Sequence, residues 1–265
     1  MESALKRDRA IVASGLLILT LLAWIYTVRE AASMETINGA VEAGAGMAMP
    51  SMQPWSAVDA TWVFLMWNVM MVAMMIPSAA PMVLLFAAVN RKRREQERPF
   101  VPTGLFLLGY LFAWSSFSAL ATVAQWGLHS AALLSEMMVS TSVWLGGAAL
   151  IAAGAFQWTT FKHACLDHCR SPLSFLATHW RDGAHGAFET GLHHGAYCVG
   201  CCWLLMCLLF VTGVMNLVWV AMLSAFVLAE KAAPRALAPW VSRMAGFFLL
   251  AWGGWMISTA FPLLG

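Results

Sequence analysis

Apolar runs close to twenty residues long recur along the whole of this chain, and a run of that length leaves few structural choices. In hydrocarbon every backbone N–H and C=O must be satisfied internally, so a spanning segment is either a helix or a strand of a closed barrel. A barrel needs alternating strands of about ten residues, and none is visible. Only 11% of the 265 residues are charged, against about 25% in a soluble domain. The longest polar stretch is too short to bury a core of its own. We therefore expect an all-α, polytopic membrane helix bundle that forms a single domain over 1–265. About seven spans fit, at 11–28, 59–89, 103–126, 139–161, 192–211, 215–230 and 244–262.

These spans sort the basic residues. Of the fifteen Lys and Arg, Arg29 alone falls on one side, while Lys6, Arg91, Arg98, Lys162, Arg181, Lys231, Arg243 and the rest fall on the other. The positive-inside rule then places the N-terminus in the cytoplasm and the C-terminus outside. Lys6-Arg-Asp-Arg9 before an apolar run resembles a signal peptide. That run is long for a signal core, and we expect it to be retained as an anchor in a bacterial inner membrane.

All six cysteines lie between Cys165 and Cys207. Apolar filler would be scattered, whereas thiol and imidazole together are the donors for soft and borderline metals. On the fifth span His194, Cys198, Cys202 and Met206 recur every fourth residue, with Cys201 flanking them. That spacing sets them on one helix face. Gly195 and Gly200 leave room beside that face for a helix or an ion. The preceding loop carries Cys165-x-x-x-Cys169 with His168 interleaved. If it folds against Cys198 and Cys201, four thiolates can close a tetrahedral site. On this topology the loop faces a reducing compartment, where structural disulfides are disfavoured.

Met66, Met70 and Met74 also recur every fourth residue on the second span, beside Met71 and Met75, and Met47, Met49 and Met52 lie just outside it. Thioether sulfur favours Cu(I), but methionine is equally good apolar filler. Pro77 and Pro81 should bend this helix. Asn68, Asn216, Glu230 and Lys231 are weaker polar candidates at or near membrane depth. Glu230 and Lys231 pair with each other or simply mark a membrane boundary. No phosphate-binding loop, Gly-x-Ser-x-Gly or His-Glu-x-x-His occurs.

Three blocks carry a resemblance: Trp67 to Ser78, Lys162 to Pro172, and Gly191 to Met206 running on to Trp219. They resemble an uncharacterised bacterial family of predicted metal-binding integral membrane proteins. The resemblance implies a multi-span, metal-binding membrane protein and supplies no reaction.

The expected function is binding of a soft metal ion, Cu(I) ahead of Zn, for transport or delivery across the inner membrane. The expected ligands are Cys165, His168, Cys169, His194, Cys198, Cys201 and Cys202, with Met70 and Met74. Besides lipid and metal, a metallochaperone or another membrane subunit is a candidate partner; nucleic acid is not. Two other readings stay open. Cys198-x-x-Cys201 can serve a membrane thiol–disulfide redox protein or a metal-dependent membrane enzyme, although the residues lean away from catalysis. A closed zinc site can also be purely structural, in an assembly subunit.

Overall fold

The computed structural model describes residues 2–42, 55–96, 101–131, 142–234 and 236–260. The described residues form an all-α fold. Its elements are α1 (Glu2–Glu42), α2 (Ala57–Glu95), α3 (Thr103–Ser130), α4 (Val143–Phe156), α5 (Thr160–Arg170), α6 (Pro172–His179), α7 (Gly183–Cys207), α8 (Leu209–Thr212), α9 (Leu217–Ala232) and α10 (Ala238–Ala260). Met47, Met49 and Met52 lie outside the described residues. The segment after Arg29, read as an external loop, is helical as far as Glu42.

The expected seven spans do not stand. Among the described residues four helices are long and apolar enough to cross a membrane: Arg9–Met34, Ala57–Arg93, Thr103–Ser130 and Gly183–Thr212. The 139–161 run yields α4, whose 14 residues reach only about 21 Å, short of a ~30 Å hydrocarbon core. The 215–230 run yields α9, with 16 residues and with Glu230 and Lys231 inside its last turn. The described part of the 244–262 run, 244–260, lies in α10, which is long enough at 23 residues. There Gly246, Gly253, Gly254, Trp252 and Trp255 dilute the apolar content. The placement of the N-terminus in the cytoplasm and the C-terminus outside rested on seven crossings and falls with them.

The core forms where α7 lies against α3 and α5, and α2 lies against α3 and α9. Glycine permits the first of these contacts. A Cβ on Gly191 would sit 1.9 Å from the Phe106 carbonyl oxygen, and one on Gly109 would sit 2.0 Å from that of Phe188. Both backbones need the missing side chain in order to approach. Between α2 and α3, Trp67 Nε1 donates to Gln125 at 2.7 Å and Ser115 donates to the Asn68 side chain at 2.7 Å. Side-chain hydroxyls serve the carbonyls just ahead of Pro77. Tyr110 donates to Met75 O at 3.2 Å, and Ser224 donates to Met74 O at 3.3 Å. These bonds tie α3 and α9 to the turn of α2 that carries Pro77.

A buried ionic cluster locks α5 against α9 and α10. Lys162 Nζ lies 2.7 and 2.9 Å from the two Glu230 carboxylate oxygens and also donates to Gln157 Oε1. Ser242 donates to Glu230 at 2.6 Å. Lys162 and Glu230 are 0% and 2% exposed, so the pair is fully desolvated. Glu230 thus pairs across the fold rather than with Lys231.

Candidate metal centre

The segment bearing Cys165 and Cys169 is a helix, not a loop. Thr159 caps α5 by accepting from the Lys162 N–H at 3.2 Å. Lys162, Cys165, Leu166 and Cys169 then recur at helical spacing along the face that meets α7 and α9. Cys165 is buried, and its Sγ lies where a Cβ on Gly200 would come within 2.9 Å. Gly200 is the gap on α7 into which that thiol fits.

One turn further along α5, the Cys169 thiol interacts with the sulfurs of both Cys198 and Cys201, and Cys202 interacts with the same two. Cys201 and Cys202 also donate to the Cys198 carbonyl, at 3.1 and 3.0 Å. Four thiols from two helices therefore meet in one place, with Cys165 beside Cys201. All six cysteines are free.

Two polar groups from other helices close on the same sulfur. Lys231 of α9 donates to Cys198 Sγ at 2.9 Å and to the Ser78 hydroxyl at 2.9 Å. The Tyr110 hydroxyl of α3 shares a 3.2 Å hydrogen bond with Cys198 Sγ. Both were invisible to pattern reading. Tyr110 is a single hydroxyl in an apolar run, and Lys231 read as a membrane boundary or as the partner of Glu230.

The electrostatics follow from this crowding. Hydrogen bonds to Cys198 and Cys201, with burial added, hold the Cys169 thiol well above the usual cysteine range. Burial, then the charge at Cys201, raises Cys165. Burial alone would push Lys231 down. The sulfurs of Cys198, Cys169 and Cys201 outweigh it, Cys198 first, so the ammonium is held above its usual range. The site is a set of soft sulfur donors beside one half-buried ammonium.

The other expected ligands separate into two groups. His194 is 2% exposed, lies among Phe106, Tyr110 and Phe175, and is close enough to Cys198 and Lys231 to feel their charges. Its Nδ1 has no hydrogen-bond partner among the described residues. Met70 and Met74 are buried on α2 at 1% exposure. They lie on the helix wall whose Met75 carbonyl and Ser78 hydroxyl reach Tyr110 and Lys231. His168 turns away from the thiols. Its ring stacks on Tyr197 at 4.2 Å, and its Nδ1 lies 2.8 Å from the Ala164 carbonyl. Neighbours on a helix are about 100° apart, and the stack on Tyr197 holds the His168 ring to its own side of α5.

Among the described residues no group of three or more His, Cys, Asp or Glu is arranged as a ready metal cage. The thiols are instead engaged with one another, with the Cys198 carbonyl and with Lys231.

No curated protein and no solved structure matches the chain. Kinship with an uncharacterised family is overturned, because the family that matches is a named one. The PpoB2 family, described as a copper chaperone, matches residues 64–256; the protein belongs to that family, and its function is copper-related.

Proposed function

We propose that this protein is a membrane-embedded carrier of Cu(I), with the ion as cargo at the meeting point of α5 and α7. The observation that carries this reading is the convergence of Cys169 with Cys198, Cys201 and Cys202. Soft thiolates select Cu(I) over hard ions, and about two or three of them satisfy it. Cu(I) can therefore be held without the complete tetrahedral cage that zinc requires. Binding exchanges thiol protons for the ion. Cys198 is the central ligand, with Cys169 and Cys201 beside it and Cys202 and Cys165 as further donors. The His194 Nδ1, buried and without a partner among the described residues, is the neutral donor nearest in chemistry.

Lys231 fits a carrier better than a permanent structural site. With its ammonium on Cys198, a pair of thiolates plus one monovalent cation comes out neutral. A divalent ion would leave excess positive charge in an apolar interior, which is costly. Met70 and Met74, buried on α2, offer neutral sulfur that suits transfer rather than storage. We read the inner membrane as the carrier's location, a reading supported by helices long and apolar enough to cross a membrane.

The test is metal content by mass spectrometry on protein purified under reducing conditions with copper and zinc both supplied. The intact chain should carry about one copper per molecule and little zinc. Cys169→Ser with Cys198→Ser should carry background copper while keeping its helical content. Equal copper in both proteins would refute the thiol site.

A further inference from the structure

The other face of α5 borders a cavity of about 490 Å³ that the thiol chemistry does not use. His163, Asp167 and Arg170 line it from α5, and Pro239 and Arg243 line it from the first turns of α10. Two guanidinium groups thus face one space against one carboxylate. Among the described residues neither arginine forms an ion pair with Asp167, and Arg243 has no hydrogen-bond or ionic partner of any kind. Arg170 is anchored by donating to the Ala233 carbonyl. A guanidinium carries five donors, so one such anchor leaves most of its fork available.

The rim of this cavity is of the opposite character. Leu173, Leu237, Trp240 and Met244 follow or flank the lining residues and are 57–70% exposed. Arginines in a hollow beside a bare apolar rim match an amphiphile with an anionic head. Arginine recognises phosphate bidentately, basic pockets between membrane helices take anionic headgroups, and tryptophan settles at the headgroup level.

We propose that this cavity binds the phosphate headgroup of an anionic phospholipid. Arg243 and Arg170 hold the phosphate, and the acyl chains lie along Leu237, Trp240 and Met244. Arg170 directly follows Cys169, so a seated lipid would also brace the helix that carries two of the thiols.

The test is lipid retention by the full chain. Protein is exchanged into mixed micelles containing equal phosphatidylglycerol and phosphatidylcholine, and retained lipid is counted by native mass spectrometry. Phosphatidylglycerol should be retained at least tenfold over phosphatidylcholine. Arg243→Gln should remove most of that preference and Arg243→Lys should restore part of it. Arg181→Gln, which removes an arginine paired with Glu189, should change nothing. Arg243 is exposed and has no partner among the described residues, so unchanged helicity in its variants will separate lost binding from lost fold. Equal retention of both lipids, or full preference in Arg243→Gln, overturns the proposal. So does binding of inorganic phosphate without any lipid preference, which would make the cavity a site for a free anion.

Discussion

Glu230 and Lys231 are neighbours on α9, yet they serve clusters of opposite chemistry. Glu230 accepts from Lys162 and Ser242 within a fully buried hard-ion pair. Lys231 donates to Cys198 among soft thiols. The first cluster sets rigid charge against rigid charge and offers a soft ion nothing. The second is built from groups that exchange protons for metal. The two share α5, since Lys162 and Cys169 belong to the same helical face. The hard pair therefore fixes the register at which the soft site assembles, and only the soft site has chemistry left to perform.

Breaking the hard pair should give the largest effect on stability. Glu230→Gln strands the Lys162 charge in the interior and should cost about 3–5 kcal/mol. Thermal unfolding in detergent will show it as a large drop in Tm, with copper lost as α5 loosens. Replacing both partners, Lys162→Met with Glu230→Leu, removes the stranded charge and should recover most of the stability and the copper. If the double variant stays unfolded, the pair does more than set register.

Lys231→Met sharpens the contrast, because it removes a lysine of the other kind. It should lower copper affinity by about tenfold or more, in line with the ~1.5–3 kcal/mol of a charged hydrogen bond. Its Tm should move less than that of Glu230→Gln. Competition against a calibrated Cu(I) chelator measures the first quantity, and unchanged affinity would remove Lys231 from the account.

The smallest effect is expected on α2. Met70→Leu with Met74→Leu is close to volume-conserving and should change stability by less than about 1.5 kcal/mol. Final copper content should match the intact chain, while loading slows several-fold. Stopped-flow loading that stays unchanged would leave these methionines as packing alone.

Much of this site was written in spacing. Cys198, Cys201 and Cys202 fall on one helical face, and Cys165 with Cys169 repeat the same interval on a second segment. The all-α class and the apolar runs at 11–28, 59–89, 103–126 and 192–211 were equally visible. The rest was hidden for physical reasons. The apolar residues of α4, α9 and α10 are those of short or glycine-rich helices packed against one another, so hydropathy alone overcounted the crossings. Both short, α5 and α6 read as loop, the first because it is charged, although the Lys162 charge is neutralised 68 positions away in sequence by Glu230. His168 looked like a ligand because it adjoins Cys169, whereas its ring stacks on Tyr197. Tyr110 carried no signal at all. Its role depends on α3 lying close to α7, which Gly109 and Gly191 permit.

The most direct measurement is copper K-edge X-ray absorption on the purified, copper-loaded chain. The account predicts Cu(I) in a sulfur-dominated shell of low coordination number. That shell should lose sulfur in Cys198→Ser and stay intact in Cys207→Ser, whose thiol ends α7 away from the cluster. A shell of nitrogen and oxygen alone, or one unaltered by Cys198→Ser, would contradict it.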